Sequence, residues 1–145
     1  MDHQTNETLP KTYNILVVED EPDARTTFIE LLSTVDNYEV SGASDGDDAL
    51  AKAEATKYDL ILLDIVMPKK DGIETLTELL DNKERYGDPA IIMLTNIGGD
   101  IAVQNALELG AHGYKLKSTT DPQELLGYVA EMLEKRERGE LKTNR

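Results

Sequence analysis

Asp64 closes a short apolar run, Leu60-Ile61-Leu62-Leu63, and is followed by Ile65, Val66, Met67 and Pro68. A lone ionised carboxylate is strongly disfavoured in an apolar interior, so this side chain needs water, a cation or a charged neighbour. Three other candidate strands end in charged or hydroxyl side chains. Glu19, Asp20 and Glu21 follow Ile15-Leu16-Val17-Val18, Thr95 follows Ile91-Ile92-Met93-Leu94, and Lys117 follows Tyr114-Lys115-Leu116. Carboxylates at close range raise one another's pKa unless a cation neutralises them, and hard oxygen donors with water nearby suit Mg2+. A divalent ion also neutralises charge during phosphoryl transfer, for which the Asp64 carboxylate is a candidate nucleophile. A hydroxyl and an ammonium are the donors that bind phosphoryl oxygens. Taken singly, acids after a strand are common helix caps, and a lysine on an edge strand is ordinary. Their joint placement at four strand ends gives the set its meaning.

The elements that must position these groups alternate along the chain. Tyr13 to Val18 is a β-branched run, and Pro22 suits the first turn of a helix whose stripe is Ala24, Phe28, Leu31, Leu32 and Val35. Tyr38 to Ala43 is a weaker strand, and the turn Ser44-Asp45-Gly46-Asp47 caps a helix carrying Ala49, Leu50 and Ala53. Tyr58 to Asp64 is the central strand, buried on both faces, and Ile73, Leu76, Leu79 and Leu80 mark the third helix. Ala90 to Thr95 is a fourth strand, followed by the turn signal Ile97-Gly98-Gly99-Asp100 and a helix from about Ile101 to Leu109 that stops at Gly110. Gly113 to Lys117 reads as an edge strand, with Tyr114 and Leu116 on one face and Lys115 and Lys117 on the other. The last helix begins near Asp121-Pro122 and buries Leu125, Leu126, Val129, Met132 and Leu133. Strands alternating with helices define an α/β fold, a parallel sheet wound on both sides. In such sheets ligands gather at the carboxyl ends of strands where the strand order reverses. If the first and third strands are neighbours, Glu19, Asp20 and Asp64 converge.

The chain has 145 residues, 39% apolar content and no cysteine, which suits one domain without disulfides or thiolate metal sites. Residues 1–10 are expected to be a flexible leader, 11–138 the domain, and 139–145 a frayed tail too short for an output domain. A net charge of -14 repels phosphate backbones and anionic lipid, so direct binding to nucleic acid or membrane is not expected. No basic-then-apolar signal or run of ~20 apolar residues occurs, which makes a cytoplasmic location the default expectation. His3 and His112 receive no role; His112 is expected at the surface.

These residues resemble the receiver domains of two-component response regulators, over roughly Tyr13 to Leu133. Ile15-Leu16-Val17-Val18-Glu19-Asp20-Glu21 looks like the family's first strand and acid pair, and Leu62-Leu63-Asp64 with Met67-Pro68 and Asp71-Gly72 like its phosphoacceptor block. Leu94-Thr95 looks like its switch hydroxyl, and Gly110-Ala111-His112-Gly113-Tyr114 with Lys117 like the segment carrying its switch aromatic and lysine. The resemblance implies a doubly wound, five-stranded parallel sheet of order 2-1-3-4-5 in a flavodoxin-like three-layer sandwich. It implies a single-domain regulator, similar to chemotaxis receivers, that is no enzyme beyond its own phosphoryl transfer and slow autodephosphorylation. Asp64 would accept a phosphoryl group from a sensor histidine kinase or phosphotransfer protein. Mg2+ would be held by Asp20, Asp64 and the Val66 backbone carbonyl, with Glu19 acting through water. Thr95 and Lys117 would bind the phosphoryl oxygens. Tyr114 would swing inward and alter the surface of the fourth helix, fifth strand and fifth helix, which meets an unidentified protein target.

Four departures from the family pattern carry expectations of their own. Ser118 stands where the family usually has proline; a cis bond before serine would cost ~3 kcal/mol more than trans, so a trans bond and a less rigidly placed Lys117 are expected. Asn96 replaces a small residue and crowds access to Asp64. Val66 and Ile97, both apolar, occupy positions that orient attacking water, which points to a long-lived phosphoryl state. Asn96 and Ser118 also keep open an alternative, a receiver-fold binding module that works without phosphorylation. A haloacid-dehalogenase-like phosphatase is excluded because Val66 stands where its second aspartate is required. A dinucleotide-binding turn is excluded because Glu19-Asp20-Glu21-Pro22 replaces its glycines.

Overall fold

The computed structural model describes residues 11–96 and 101–143. The expected leader and the turn signal Ile97 to Asp100 lie outside the described residues. Five strands, β1 (Tyr13–Val18), β2 (Tyr38–Ala43), β3 (Leu60–Asp64), β4 (Ala90–Thr95) and β5 (Gly113–Leu116), form one parallel sheet in the order β2-β1-β3-β4-β5. Five longer helices cover them: α1 (Pro22–Ser33), α2 (Gly46–Ala55), α3 (Gly72–Asp81), α4 (Ile101–Leu109) and α5 (Pro122–Glu137). This is the doubly wound, three-layer α/β sandwich that the resemblance implied.

The unbroken apolar runs of β1, β3 and β4 follow from burial on both sides, because successive side chains point to opposite faces. Leu16, Val18, Ile61, Leu63, Ile91 and Met93 pack with α2, α3 and α4. Ile15, Val17, Leu60, Leu62, Ile92 and Leu94 pack with α1 and α5. The first three helices, α1, α2 and α3, each start where the sequence supplies an acceptor for their free N–H groups. Glu21 accepts from Ala24 N at 2.6 Å ahead of Pro22, and Asp45 accepts from Asp48 N at 2.8 Å. Asp71 and Glu74 form a reciprocal capping box of 2.9 and 3.1 Å at the start of α3.

Several details differ from the sequence reading. β3 begins at Leu60 rather than Tyr58, and at the preceding Asp59 the carboxylate accepts from Asn14 N at 2.8 Å and pairs with Arg136 at 2.8 Å. β5 ends at Leu116, and Lys117 continues the ladder by a single bond from its N–H to Thr95 O at 2.7 Å. A one-turn helix, Lys83–Tyr86, precedes β4 and buries Tyr86. Just past Arg138 the chain is still tied down: Gly139, at φ 70°, closes the end of α5 with Glu140 N donating to Lys135 O, and Leu141 packs on the core. His112 is half-buried rather than at the surface. Its N–H donates to Ile91 O and its Nδ1 accepts from Ile91 N at 3.0 Å, so the ring satisfies a strand N–H that β5 starts too late to meet. Burial pushes its pKa below the ordinary histidine value. No described helix is long and apolar enough to cross a membrane.

Gly72 fixes how the loop after β3 returns. Its N–H donates to Ile65 O at 2.9 Å, and a Cβ there would lie 2.2 Å from Asp64 O and 2.8 Å from Ile65 Cα. Neither obstacle is a flexible side-chain tip, so α3 can begin this close to β3 only with glycine. Gly72→Ala is expected to destabilise the chain by about 2–3 kcal/mol, in the range of an overpacked core. Urea denaturation checks this, and an unchanged midpoint would mean that the loop yields freely.

Candidate functional site

The order β1-β3-β4-β5 brings the four expected strand ends to one edge of the sheet. Val18 pairs with Leu63, Asp64 with Leu94, and Thr95 with Leu116, so Glu19, Asp64, Thr95 and Lys117 emerge side by side. With Asp20, Val66 and Asn96 they line a crevice of about 380 Å³, large enough for a small ligand. Asn96 is exposed at the mouth of this crevice. Tyr114 stands apart from it, 37% exposed on β5.

Buried charge dominates the crevice. Glu19 is fully buried and Asp64 is 4% exposed. The Lys117 ammonium lies between them, 2.5 Å from Glu19 Oε1 and 3.3 Å from Asp64 Oδ2. No cis bond occurs among the described residues, so Ser118 follows a trans peptide as expected. Lys117 is nevertheless held firmly, contrary to the looser placement that Ser118 suggested. Two carboxylates and the bond to Thr95 O fix it. Burial lowers the Lys117 pKa, but Glu19 and Asp64 together carry it above the ordinary lysine value, so it stays an ammonium.

One ammonium does not satisfy both acids. Burial, then the charge on Glu19, push the Asp64 pKa up to about 6, against the pull of Lys117 and the Val66 N–H. Glu19, Asp20 and Asp64 each offer a carboxylate oxygen, and the three lie within 4.8 Å of one another. A buried acid with raised proton affinity beside two further hard oxygen donors fits a divalent cation such as Mg2+.

One supporting residue, Arg25, escaped sequence reasoning. Arg25 Nη1 donates to Glu19 O at 2.7 Å, and Glu21 N donates to Glu19 Oε2 at 3.1 Å, so the loop bearing the acid pair is fastened from α1 and from its own backbone. Arg25 has no motif of its own. Its only signal is a position one turn into the helix after the acids.

A parallel sheet with an acidic crevice at its carboxyl edge, a strand-end aspartate and a lysine facing it defines a receiver-type signalling domain. The chain belongs to the response regulator receiver domain family, whose model matches residues 15–130. It is similar to the alkaline phosphatase synthesis transcriptional regulatory protein PhoP of Bacillus subtilis, with 39% identity over 85% of this chain and 49% of PhoP. It is also similar to the response regulator protein VraR of Staphylococcus aureus, with 35% identity over 89% of this chain and 58% of VraR. Among solved structures it resembles the Vibrio cholerae chemotaxis protein CheY4, with a TM-score of 0.76 and 29% identity over 83% of this chain and 98% of that one. The chain spans about half the length of the curated relatives it matches.

The raised pKa of Asp64 has a consequence for stability. Between its ordinary 3.8 and about 6, the folded state binds the extra proton, so stability falls as pH rises through that window and the penalty is complete above it. In EDTA at neutral pH, Asp64→Asn should therefore melt a few degrees higher than the wild type, by roughly 1–2 kcal/mol after allowance for water at the crevice. The advantage should shrink below about pH 6. Mg2+ should raise the wild-type melting point far more than the variant's. Thermal melts at several pH values check this, and a variant no more stable than wild type in EDTA contradicts it.

Proposed function

We propose that Asp64 is the phosphoacceptor of this receiver and takes its phosphoryl group from a sensor histidine kinase or a phosphotransfer protein in the cytoplasm. An Asp64 carboxylate oxygen attacks phosphorus, the phosphorus–nitrogen bond to the donor imidazole breaks, and the imidazole leaves with that electron pair. The observation that carries this reading is the single crevice in which Asp64 meets Lys117 at 3.3 Å beside Thr95 and the acid pair.

The residues present fit the expected cation. Asp20, Asp64 and the Val66 carbonyl would hold Mg2+, with Glu19 acting through water, and the bound ion would neutralise charge on the transferring phosphoryl. Lys117 and Thr95 would stabilise the oxygens of the phosphorylated aspartate. Tyr114 is the proposed switch: exposed on β5 in this structure, it would turn inward as Thr95 moves and reshape the surface of α4, β5 and α5 for a protein target. That is a population shift between two packings, biased by the phosphoryl group. The strongly acidic surface supports a protein target over nucleic acid or membrane.

Intact mass after incubation with Mg2+ and acetyl phosphate tests the reading. The wild type should gain about 80 Da, Asp64→Ala should gain nothing, and EDTA should abolish the gain. Lys117→Ala should slow the gain by roughly 10- to 100-fold. No gain in the wild type, with the fold intact and a histidine kinase also failing, would leave a binding module that works without phosphorylation.

A further inference from the structure

Among the described residues, Lys69 is the one residue other than glycine with a positive φ, at 66°. That conformation crowds a Cβ against the backbone, which glycine and asparagine tolerate better. Local strain of this kind persists where the surroundings enforce it, and it clusters at functional sites. Lys69 stands beside one. Ile65 N donates to Leu94 O at 3.0 Å and Gly72 N to Ile65 O at 2.9 Å, so residues 66–71 leave and return next to Asp64. Six residues that go out and come back reach no further than about 10 Å at 3.3–3.6 Å per residue. The loop therefore keeps the Lys69 backbone within about a Debye length of the Asp64 crevice.

Its charge is also unlike those around it. Lys117 is spent between Glu19 and Asp64, Lys70 pairs with Glu78 and lies 3.8 Å from Asp47, and Lys115 lies 3.8 Å from Glu124 and stacks over Tyr128. Lys69 is exposed and has no hydrogen bond or ion pair among the described residues. Among the described residues no hydrogen bond or ion pair of its ammonium offsets that strain. Meanwhile a net charge of -14 opposes the approach of any phosphoryl anion.

We propose that Lys69 is an electrostatic guide, an unpaired ammonium on the loop beside Asp64 that draws the phosphoryl end of the donor into the crevice. The inference rests on Asp64 being the phosphoacceptor. A doubly negative phosphoryl about 10 Å from one ammonium in water gains enough attraction for a rate difference of about fourfold at low ionic strength.

The test measures the rate of Asp64 phosphorylation in the full chain with Mg2+, using acetyl phosphate and phosphoramidate as donors. At low salt, Lys69→Asn and Lys69→Gly should be about fourfold slower than wild type with doubly negative acetyl phosphate and about twofold slower with phosphoramidate, which carries one net negative charge near neutral pH, while Lys69→Arg keeps the wild-type rate. The differences should vanish near 1 M salt, where the Debye length is about 3 Å. Lys69→Asn should melt no lower than wild type, which separates guidance from a structural role. Equal rates for Lys69→Asn and wild type at low salt, a gap that persists at high salt, or a lower melting point for Lys69→Asn would each overturn the guide while leaving Asp64 as phosphoacceptor. A wild type that accepts phosphoryl from neither donor would overturn both.

Discussion

Two buried carboxylates sharing one ammonium set the conditions for the rest of this molecule. Glu19 and Asp64 emerge from neighbouring strands with almost no contact with water, and Lys117 stands between them. A buried acid pair with a single positive partner is under-compensated, which is why Asp64 holds its proton so far above the ordinary carboxylate range. The fold has to keep this arrangement together against its own repulsion. Arg25 fastens the Glu19 carbonyl from α1, and Gly72 brings α3 hard against the Asp64 carbonyl. The site is thus a stored electrostatic imbalance, built to be relieved by added positive charge.

Sheet order makes that imbalance possible. Because β1 lies between β2 and β3, α1 leaves toward one face and α2 and α3 cover the other, and a crevice opens where the connections diverge. Register then decides which side chains share it. Val18 opposite Leu63 and Asp64 opposite Leu94 place the acids of β1 and β3 at one height. A slip of one residue would turn Asp64 to the opposite face of the sheet, away from Lys117.

Most of this was legible in the sequence because the strands are short, apolar and each ended by a charged or hydroxyl residue. Alternating strand and helix patterns suffice for a parallel sheet, and glycines, prolines and acids mark the turns. The strand order was not legible from pattern alone; it came from resemblance to a family. What stayed hidden depends on contacts between distant segments. Lys117 was expected to be loose because the residue after it is serine, whereas two carboxylates from β1 and β3 hold it. His112 was expected at the surface because small residues flank it, whereas its ring substitutes for a missing strand partner of Ile91. The left-handed backbone at Lys69 has no signature in a lysine, since glycine or asparagine is what such a position advertises.

The same charge balance suggests how a change at Asp64 travels. Glu19 holds the Lys117 ammonium more closely than Asp64 does, so a phosphoryl group on Asp64 must compete for it. Lys117 cannot shift alone. Its N–H is bonded to Thr95 O, Thr95 pairs with Leu116, and Met93 pairs with Tyr114 two residues back. β5 has only four residues and one neighbouring strand, so it is the part of the sheet with least to hold it in place. In the proposed reading, negative charge gained at Asp64 pulls on Lys117 and Thr95 together. The strain then falls on the edge strand that carries Tyr114, and the signal leaves the crevice by the element least able to resist it.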